Sequence, residues 1–162
     1  MLNGRRSPGF SKRNGNMIVL RNYTQSDAAQ LKLYADASQK ELQALIDAWN
    51  RKRFQENYFE MFAVTDAGAH VGRASLYGRS EHIVSCGIEI FPAFREKGYG
   101  GEAYRNLLEI AKEKGYTVAV AQVRFDNAAS ISLHRAIGFE AEDYVYRNAK
   151  GESVYYFIKN LL

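Results

Sequence analysis

Residues 94–103 of the chain, FREKGYGGEA, combine three glycines with two basic side chains. An apolar, strand-like run precedes this stretch, and a helix-like run follows it. A glycine-rich entry to a helix presents backbone N–H groups, because the first four N–H groups of a helix have no partner within it. The positive end of the helix dipole attracts negative charge to the same place. The stretch therefore predicts a binding site for an anion such as phosphate.

Two known phosphate-binding patterns can be compared with this stretch. A P-loop requires Gly-Lys followed by Ser or Thr, which does not occur in the sequence. The dinucleotide fingerprint G-x-G-x-x-A fits Gly98, Gly100 and Ala103, with Asp126 roughly twenty residues further on. However, the segment FPAFR separates the glycines from the preceding strand, and only one further helix follows. A nicotinamide-dependent oxidoreductase therefore stays open as the less favoured alternative.

The other reactive side chains lack the spacing of a metal site or a nucleophile. Cys86 is the only cysteine, which excludes an internal disulfide and a cysteine-based zinc cluster. It lies on the apolar side of a strand-like run with no base beside it, so we expect a core thiol rather than an acyl-enzyme nucleophile. His70 and His82 flank turns without ligand-spaced partners, and no metal site is predicted.

The net charge of +4 comes from the first 16 residues, which carry four basic side chains and no acid. Removing these four from the 22 Lys and Arg leaves 18, which equals the 18 Asp and Glu of the chain. The rest is formally neutral, so the charge is no argument for a nucleic-acid partner. Residues 1–16 lack the apolar core of a secretory signal. We expect a disordered basic leader, a cloning scar or an upstream false start, with the folded domain covering residues 17–162.

The first part of this domain is predicted to hold one strand, two helices and an antiparallel meander. IVLRNY is typical of a short strand, and Ser26 is a candidate N-cap for the helix DAAQLKLYADA. A second helix is expected from about Ser38 to Glu56. Its apolar residues at helical spacing are Leu42, Leu45, Ile46 and Trp49. The strands YFEMFAVT, HVGRASLY and HIVSCGIEIF follow, joined by the turns DAGA and GRSE.

The second part is predicted to alternate helices and strands before a closing hairpin. A helix from about Gly100 to Lys114 has acidic Glu102 at its start and Gly115 beyond its end. TVAVAQVRF is nearly all apolar, as expected of a strand at the centre of a sheet. A short helix capped by Asp126 or Asn127 ends before Gly138. FEAEDYVYR and SVYYFIK form a hairpin around the turn NAKG.

The glycine stretch and its surroundings together resemble a known family. IFPAFREKGYGGEA resembles the acetyl-CoA signature of the GNAT family of N-acetyltransferases, in which a strand end and Pro precede [RQ]-x-x-G-x-[GA]. RFDNAASISLHRAIGFE resembles the second signature of the family. The residues that match the two signatures are Arg95, Gly98, Gly100, Asn127, Leu133, Gly138 and Phe139. The predicted element order is also that of the family, so the resemblance covers nearly all of residues 17–162. KGYGGEA is similar to the branch that acetylates protein N-termini, such as those of ribosomal proteins, or polyamines.

The resemblance implies an α/β (α+β) fold with a mixed, mostly antiparallel sheet of six to seven strands and helices on both faces. It implies acetyl-CoA as the cofactor, with its pyrophosphate at the glycines and its pantetheine arm where CGIEIF parts from VAVAQV. Pro92 suits the parting because it cannot donate to a strand ladder, and Gly87 either marks a bulge or has a packing role. The residues expected to bind the coenzyme are Ile90, Phe91, Arg95, Glu96, Lys97, Gly98, Tyr99, Gly100, Gly101, Asn127 and Ser130.

The resemblance also implies two catalytic side chains. Glu89 is the candidate proton acceptor, acting through water, although relatives often carry a carboxylate several residues earlier and Glu89 can also be read as a solvent-facing residue. The N–H of Ile90 or Phe91 is the expected oxyanion donor. His134 stands where many relatives have Tyr, and it is the candidate acid for the leaving thiolate. Ser130 is a second possible donor.

These expectations combine into a cytoplasmic enzyme that moves the acetyl group of acetyl-CoA directly to a primary amine. The acceptor is a protein N-terminus or a small polyamine-like molecule, and a non-catalytic acyl-CoA-binding module is the alternative. No nucleic acid or membrane partner is expected, and the chain is a monomer or a homodimer. The acceptor is expected to approach across the two early helices and the last hairpin. Side chains that can attract or wall it are Asp36, Glu41, Asp47, Glu56, Tyr144, Tyr146, Tyr155 and Tyr156.

Overall fold

The computed structural model describes residues 17–162, which form nine strands and four α-helices. The strands are β1 (Ile18–Asn22), β2 (Arg53–Phe54), β3 (Asn57–Asp66), β4 (Ala69–Gly78), β5 (Ile83–Ile90), β6 (Val118–Arg124), β7 (Glu140–Ala141), β8 (Tyr146–Arg147) and β9 (Ser153–Asn160). The helices are α1 (Ala28–Leu31), α2 (Gln39–Asn50), α3 (Tyr99–Glu113) and α4 (Ala128–Ala136). The predicted leader, residues 1–16, lies outside the described residues.

The strands form one sheet whose main path runs β1-β3-β4-β5-β6-β9-β7. The short strands β2 and β8 pair with β3 and β9, respectively. Every pairing is antiparallel except that of β5 with β6, which is parallel. The predicted mixed, mostly antiparallel sheet is therefore confirmed, with two short strands added beside its main path.

Helices cover both faces of the sheet, as predicted. On one face, α3 buries the apolar stripe that its sequence spacing indicates, including Ala103, Leu107 and Ala111. Each side chain the size of Leu107 contributes on the order of 1.5–3 kcal/mol when fully buried, so this stripe fixes α3 firmly to the sheet. On the other face, α2 packs Ile46 and Trp49 into a second cluster. No helix within residues 17–162 is long and apolar enough to cross a membrane.

Strands β5 and β6 separate after a short paired segment. They pair only over Ile83–Ser85 and Val118–Val120, so their C-terminal ends part as expected. Gly87 does not mark a bulge, because β4 and β5 stay in register on both sides of it. A Cβ atom at Gly87 would lie 2.8 Å from Ser75 Oγ on β4. A side chain at Gly87 would therefore displace the Ser75 hydroxyl, which favours the packing role over the bulge.

The first predicted helix is wrong in its start and its length. A 3-10 turn over Gln25–Asp27 opens it, and the N-cap is Thr24 rather than Ser26. The Thr24 N–H donates to Asp27 Oδ2 at 2.8 Å, which fixes this turn. The α-helix then spans only Ala28–Leu31, and residues 32–37 continue as turns and bends.

The second predicted helix begins as expected but ends early. Ser38 caps it, with Ser38 Oγ accepting from the Glu41 N–H at 3.2 Å. It ends at Asn50 instead of Glu56, because Lys52 adopts a left-handed backbone with φ of 53°. The chain then forms β2, which pairs with the start of β3 through a tight turn.

A buried carboxylate ties the ends of two helices to the sheet. Glu60 on β3 accepts hydrogen bonds from Tyr58 Oη and from Asn22 Nδ2, the latter at 3.0 Å. Lys52, beyond the end of α2, and Lys114, at the end of α3, approach its oxygens at 3.0 and 3.1 Å. Burial alone would raise the pKa of Glu60, but these hydrogen bonds lower it to about 2. Glu60 therefore stays charged and holds the helix ends in place.

The closing hairpin is less regular than predicted. Both β7 and β8 pair with β9, but residues 142–145 between them form no strand. The path along this edge is therefore two short strands separated by a loop. Three tyrosines gather on it: Tyr144 and Tyr156 each make edge contacts with the ring of Tyr146.

Candidate functional site

A cavity of about 980 Å³ opens where β5 and β6 part. Residues from the end of β5, the loop before α3, the first turn of α3, the middle of β6 and α4 line it. This position follows from the topology: two parallel neighbours that separate leave a slot between their C-terminal ends. We call this cavity the slot. Of the residues predicted to bind a coenzyme, those that line the slot are Ile90, Arg95, Glu96, Gly98, Tyr99, Gly100, Gly101, Asn127 and Ser130.

The glycine stretch forms the start of α3 at one end of the slot. Gly98 is the N-cap, with a left-handed backbone (φ 81°) that a side chain disfavours. At Gly100, by contrast, a Cβ atom would sit 3.5 Å from Leu133 Cδ2, an ordinary packing distance. Packing alone therefore does not require Gly100, and its missing side chain leaves room for a ligand against the helix N-terminus.

Of the two basic side chains in the loop between β5 and α3, only one lines the slot. Arg95 Nε donates to the Ile90 carbonyl at 3.0 Å, which ties the loop to the end of β5. Lys97 Nζ lies 5.9 Å from the ring centre of Phe94, and Lys97 is not among the residues that line the slot. Glu96 lines the slot with a left-handed backbone (φ 63°). Arg95 is therefore the better placed of the two cations.

Tyr99 anchors the first turn of α3 to the end of β3. Its hydroxyl donates to Asp66 Oδ2 at 2.7 Å, and this hydrogen bond raises the pKa of Tyr99. Asp66 lies at the end of β3, so the helix start is tied to the β3–β4 turn. The hydroxyl is engaged there, so Tyr99 contributes its backbone and ring to the slot.

The two predicted oxyanion donors, the N–H groups of Ile90 and Phe91, point in opposite directions at the end of β5. The Phe91 N–H donates to the Val71 carbonyl at 3.0 Å, and the buried Phe91 ring stacks on Tyr34 with centroids 4.0 Å apart. Phe91 is consequently turned away from the slot. Hydrogen-bonding direction alternates along an antiparallel strand, so the Ile90 N–H points away from β4 and toward the slot. Of the two donors, geometry favours Ile90.

Glu89 lies at the mouth of the slot on the opposite face of β5 from the core. Its side chain is 44% exposed, and Glu89 Oε2 lies 2.6 Å from Arg73 Nε on β4. The two residues are register partners across β4 and β5. Arg73 was not predicted as a site residue, although the turn GRSE between β4 and β5 sets this register and could have revealed the pair. The guanidinium holds one oxygen of the carboxylate in a defined position.

His134 lines the slot but is largely buried in its wall, with both ring nitrogens engaged. Nδ1 lies 2.7 Å from the Ser130 carbonyl, which can only accept, so Nδ1 carries the proton. Nε2 lies 3.0 Å from Tyr104 Oη and accepts from it. The residue is 7% exposed, and burial lowers the pKa of His134. The acid role predicted for His134 stays a prediction, since its Nδ1 proton points to a carbonyl in this arrangement.

Two further polar side chains, at the start of α4, also line the slot. Asn127 Oδ1 accepts from the Ser130 N–H at 3.1 Å, so Asn127 is the N-cap of α4. Ser130 Oγ is 3.4 Å from His134 Nδ1. Ser130 and His134 therefore present neighbouring polar groups to the same part of the slot.

Cys86 lines the slot but is chemically quiet. Burial raises the pKa of its thiol to about 12, so it stays protonated near neutral pH. A protonated thiol is a poor nucleophile, which agrees with the expectation of a core thiol. Within residues 17–162, no group of three or more His, Cys, Asp or Glu is placed to hold a metal ion.

A second, smaller cavity of about 460 Å³ adjoins the slot. It shares Glu89, Pro92 and Arg95 with the slot and is otherwise formed by residues 32–36, which follow α1. We call it the side pocket. The residues that line it are Lys32, Leu33, Tyr34, Ala35, Asp36, Glu89, Pro92 and Arg95.

Most of the acidic side chains predicted to attract an acceptor are engaged elsewhere. Glu41 belongs to the cap of α2, Asp47 accepts from Gln25 at 2.6 Å, and Glu56 pairs with Arg53 at 2.5 Å. Of the four predicted acids, Asp36 alone lines the side pocket. The tyrosines of the closing hairpin border neither the slot nor the side pocket.

Comparison with known proteins gives a family match over most of the chain. A model of the acetyltransferase (GNAT) domain matches residues 17–140. The L-methionine sulfoximine/L-methionine sulfone acetyltransferase of Pseudomonas aeruginosa is 35% identical over 102 residues, covering 57% of this chain and 57% of the relative. The chain thus matches little more than half the length of this curated relative.

Solved structures share the fold at low sequence identity. The ribosomal L7/L12 alpha-N-protein acetyltransferase RimL, in complex with coenzyme A, has a TM-score of 0.77 at 16% identity and covers 88% of this chain and 93% of its own. Spermidine N-acetyltransferase from Vibrio cholerae has a TM-score of 0.73 at 17% identity, covering 89% and 94%. These similarities confirm the fold class predicted from the sequence.

Proposed function

Because the chain belongs to the acetyltransferase (GNAT) family, we propose that it transfers the acetyl group of acetyl-CoA directly to a primary amine. The observation that carries the proposal is the meeting of the slot and the side pocket at Glu89, where β5 has parted from β6. The slot leads from this point to the glycine-rich start of α3. One reactant can therefore enter from each side, with the reacting groups together near Glu89.

The slot fits coenzyme A at its two chemically distinct parts. The unpaired N–H groups at the start of α3 and the side chain of Arg95 would hold the pyrophosphate. Gly98 and Gly100 would let the phosphates approach the backbone without a Cβ in the way. The edge of β5 left without β6 would offer its N–H and C=O groups to the pantetheine amides. Acetyl-CoA supplies the activated acetyl group, and every other part of the reaction falls to the chain.

The proposed chemistry forms one bond and breaks one, takes a proton from the amine and gives a proton to the thiolate. The amine nitrogen attacks the thioester carbonyl carbon, the C–N bond forms and the C–S bond breaks. The Ile90 N–H would donate to the carbonyl oxygen as negative charge develops there. Glu89 would accept the amine proton through water, with Arg73 holding the carboxylate in place. Ser130 would give the thiolate a proton and regain one through water, while His134, whose Nδ1 proton stays on the Ser130 carbonyl, would hold Ser130 in position.

The side pocket supports an acceptor that carries both charges and an apolar group. Lys32 and Arg95 offer positive charge to a carboxylate, while Asp36 and Glu89 attract an ammonium group. Leu33 is 70% exposed and provides an apolar wall. A small amino acid with an uncharged side chain suits this mixture, whereas a polyamine has no carboxylate and would leave Lys32 and Arg95 unpaired. The relative named for L-methionine sulfone adds support for an acceptor of this class.

The experiment measures thiol release from acetyl-CoA with a panel of amines. The panel holds L-methionine sulfone, its methyl ester, spermidine and a peptide with a free N-terminus. We expect release with L-methionine sulfone and at least tenfold lower kcat/KM with the ester, which lacks the carboxylate. Release with spermidine or the peptide alone would overturn the amino-acid acceptor and keep the transferase. Thermal stabilisation by NAD(P) but not by coenzyme A would overturn both.

A non-catalytic acyl-CoA-binding module is the second candidate, favoured by one observation. Both nitrogens of His134 are engaged in the core, so the group predicted as the acid has no proton directed at the slot. Tight binding of coenzyme A without thiol release from any amine would support the module. The same measurement therefore separates the two functions.

A further inference from the structure

Half of one sheet face carries apolar side chains where water-facing residues are expected. Register places the outward residues of β5, β6, β9 and β8 on the face that α1 and α2 share. Those helices pack on β3, at the other end of that face. We call the uncovered half the open face. Its apolar residues are Ile83, Val118, Val120, Tyr146, Tyr156 and Ile158.

This pattern departs from that of a sheet face in water. Antiparallel strands with one wet side normally alternate apolar and polar residues. On β6, both sides of the strand are apolar over Val118–Ala121, and on β9 Ile158 is 53% exposed and Tyr156 37% exposed. The same apolar run is the reason that the β6 segment was predicted at the centre of a sheet. Within residues 17–162, no helix covers the outward side of β6 or β9.

One row of side chains across the open face has opposite charges at its two ends. Ser85, Val120, Ile158 and Glu140 are successive register partners on β5, β6, β9 and β7. Arg79 extends the row at the β5 end, with Arg79 Nε 2.7 Å from Ser85 Oγ. Both Arg79 and Glu140 are exposed, and neither makes an ion pair within the described part of the chain.

We propose that a second copy of this chain binds the open face, around a twofold axis that runs along the strands between Val120 and Ile158. A twofold axis brings the same surface of both copies together. Because this axis runs along the strands, the row of one copy lies opposite the row of the other in reversed order. The Arg79 end of one copy then faces the Glu140 end of the other, twice per dimer. The centre of the row is apolar and uncharged, so identical copies do not repel there.

The size of the open face suits the centre of such an interface. Four strands about 4.8 Å apart and up to seven residues long span on the order of 400 Å². That is about half of the ~800 Å² that each partner contributes to an interface of standard size. The rest falls to the polar surround, in particular residues 79–82 and 142–145. An apolar centre within a polar rim is the usual build of a protein interface.

The first test is the mass of the full-length protein in solution, by sedimentation equilibrium at about 100 µM, where a dimer with a Kd of ~1 µM is more than nine-tenths formed. We expect a dimer for the wild type. Ile158→Asp should raise the dimer Kd roughly 100-fold, because both copies then bury a charge. Leu45→Asp, which changes an exposed leucine on α2, should stay dimeric. Unchanged circular dichroism and coenzyme binding would show that Ile158→Asp is folded.

A second test addresses the orientation of the two copies. Arg79→Glu alone and Glu140→Arg alone each place like charges opposite one another, and each should raise the dimer Kd about tenfold. The double variant Arg79→Glu/Glu140→Arg restores opposite charges and should recover most of the lost affinity. A monomeric wild type, or a dimer that Ile158→Asp leaves intact, would overturn the proposal. Additive losses in the double variant would overturn the proposed axis.

Discussion

Arg73 and Glu89 form an ion pair across β4 and β5, with 2.6 Å between Arg73 Nε and Glu89 Oε2, at the point where the slot and the side pocket meet. The pair is partly exposed, so its contribution to folding is small. Its position gives it another use. A carboxylate held by a guanidinium keeps one orientation, which a water-mediated proton transfer requires.

Replacing Glu89 by Gln should lower kcat by about 100-fold or more, since general bases typically contribute 10²–10⁴-fold. The amide has nearly the same size and cannot accept the proton, so affinity for coenzyme A should change less than twofold. Steady-state thiol release and calorimetric titration measure the two quantities. Glu81→Gln, in the exposed turn before β5, is the matched control and should behave as wild type. A kcat for Glu89→Gln within threefold of wild type would remove Glu89 from the chemistry.

Ser130→Ala and His134→Gln should both lower kcat, with Ser130→Ala having the larger effect. Both side chains line the slot, but the only proton of the His134 imidazole is held by the Ser130 carbonyl, whereas the Ser130 hydroxyl can donate to the thiolate. Tyr104→Phe removes the hydrogen bond to His134 Nε2 and leaves Nδ1 bonded to the Ser130 carbonyl, so it serves as the control for lost packing.

Turnover and thermal unfolding are measured for each of the three variants. A kcat near that of wild type for both Ser130→Ala and His134→Gln would exclude this route for the thiolate proton. A loss in Tyr104→Phe as large as that in His134→Gln would attribute the effect to the core.

Folding stability should fall as the pH drops below about 6.5. Burial lowers the pKa of both His134 and His70, so the folded state keeps them neutral while the unfolded state takes up protons. Their contribution is complete above the unfolded pKa of 6.5 and is lost as the pH falls toward the folded pKa. The slope is up to about 1.4 kcal/mol per pH unit for each histidine.

Denaturant unfolding between pH 7.5 and 5 measures this slope, above the range in which the buried carboxylates Asp27 and Glu60 titrate. Burial alone would raise the pKa of Asp27, but hydrogen bonds from Arg21 and the Thr24 N–H lower it to about 2. His134→Gln should flatten the dependence, and His82→Gln, in an exposed turn, should not. Equal slopes in wild type and His134→Gln would show that His134 is not the group responsible.

Glu96→Gly should stabilise the protein and strengthen coenzyme binding. The left-handed backbone of Glu96 is unfavourable for a residue with a side chain by about 1–2 kcal/mol. Glycine removes this strain, but it loses more conformational entropy on folding, so the net gain in stability is smaller. Loss of the negative charge beside the anion site should tighten binding about two- to fivefold. Ala67→Gly, at another left-handed position (φ 48°) in the β3–β4 turn, should raise the Tm without changing coenzyme affinity. Weaker binding by Glu96→Gly would place the pyrophosphate elsewhere.

The sequence predicted α3 and its surroundings well because the physical signals there are local. Ala103, Leu107 and Ala111 follow helical spacing, and Gly115 ends the helix with a left-handed backbone. The role of the glycines before α3 and the separation of β5 from β6 were predicted from the acetyl-CoA signature, whose residues are contiguous in the sequence. The slot could therefore be located before its walls were known.

The side pocket and the environment of His134 depend on contacts between distant residues. Residues 32–36 have helical propensity, yet Tyr34 leaves the helix to stack on Phe91, which lies 57 positions later. The hydrogen bond between Tyr104 and His134 joins two helices that the sequence does not place side by side. The early end of α2 likewise could not be predicted, because no glycine or proline directly follows Asn50 to signal it. Tertiary contacts decide these positions, and a periodic pattern cannot show them.

The short pairing of β5 with β6 has a consequence for amide hydrogen exchange. Within β5, the N–H groups directed at β4 are held by a partner strand along its whole length, whereas beyond Ser85 those directed at β6 are not. Neighbouring amides of one strand should therefore exchange at rates that alternate, fast at Ile88 and Ile90 and slow at Gly87 and Glu89. A pantetheine arm lying in the slot would slow exchange at Ile88 and Ile90 alone. The exchange rates of these two amides would therefore report whether the slot is occupied.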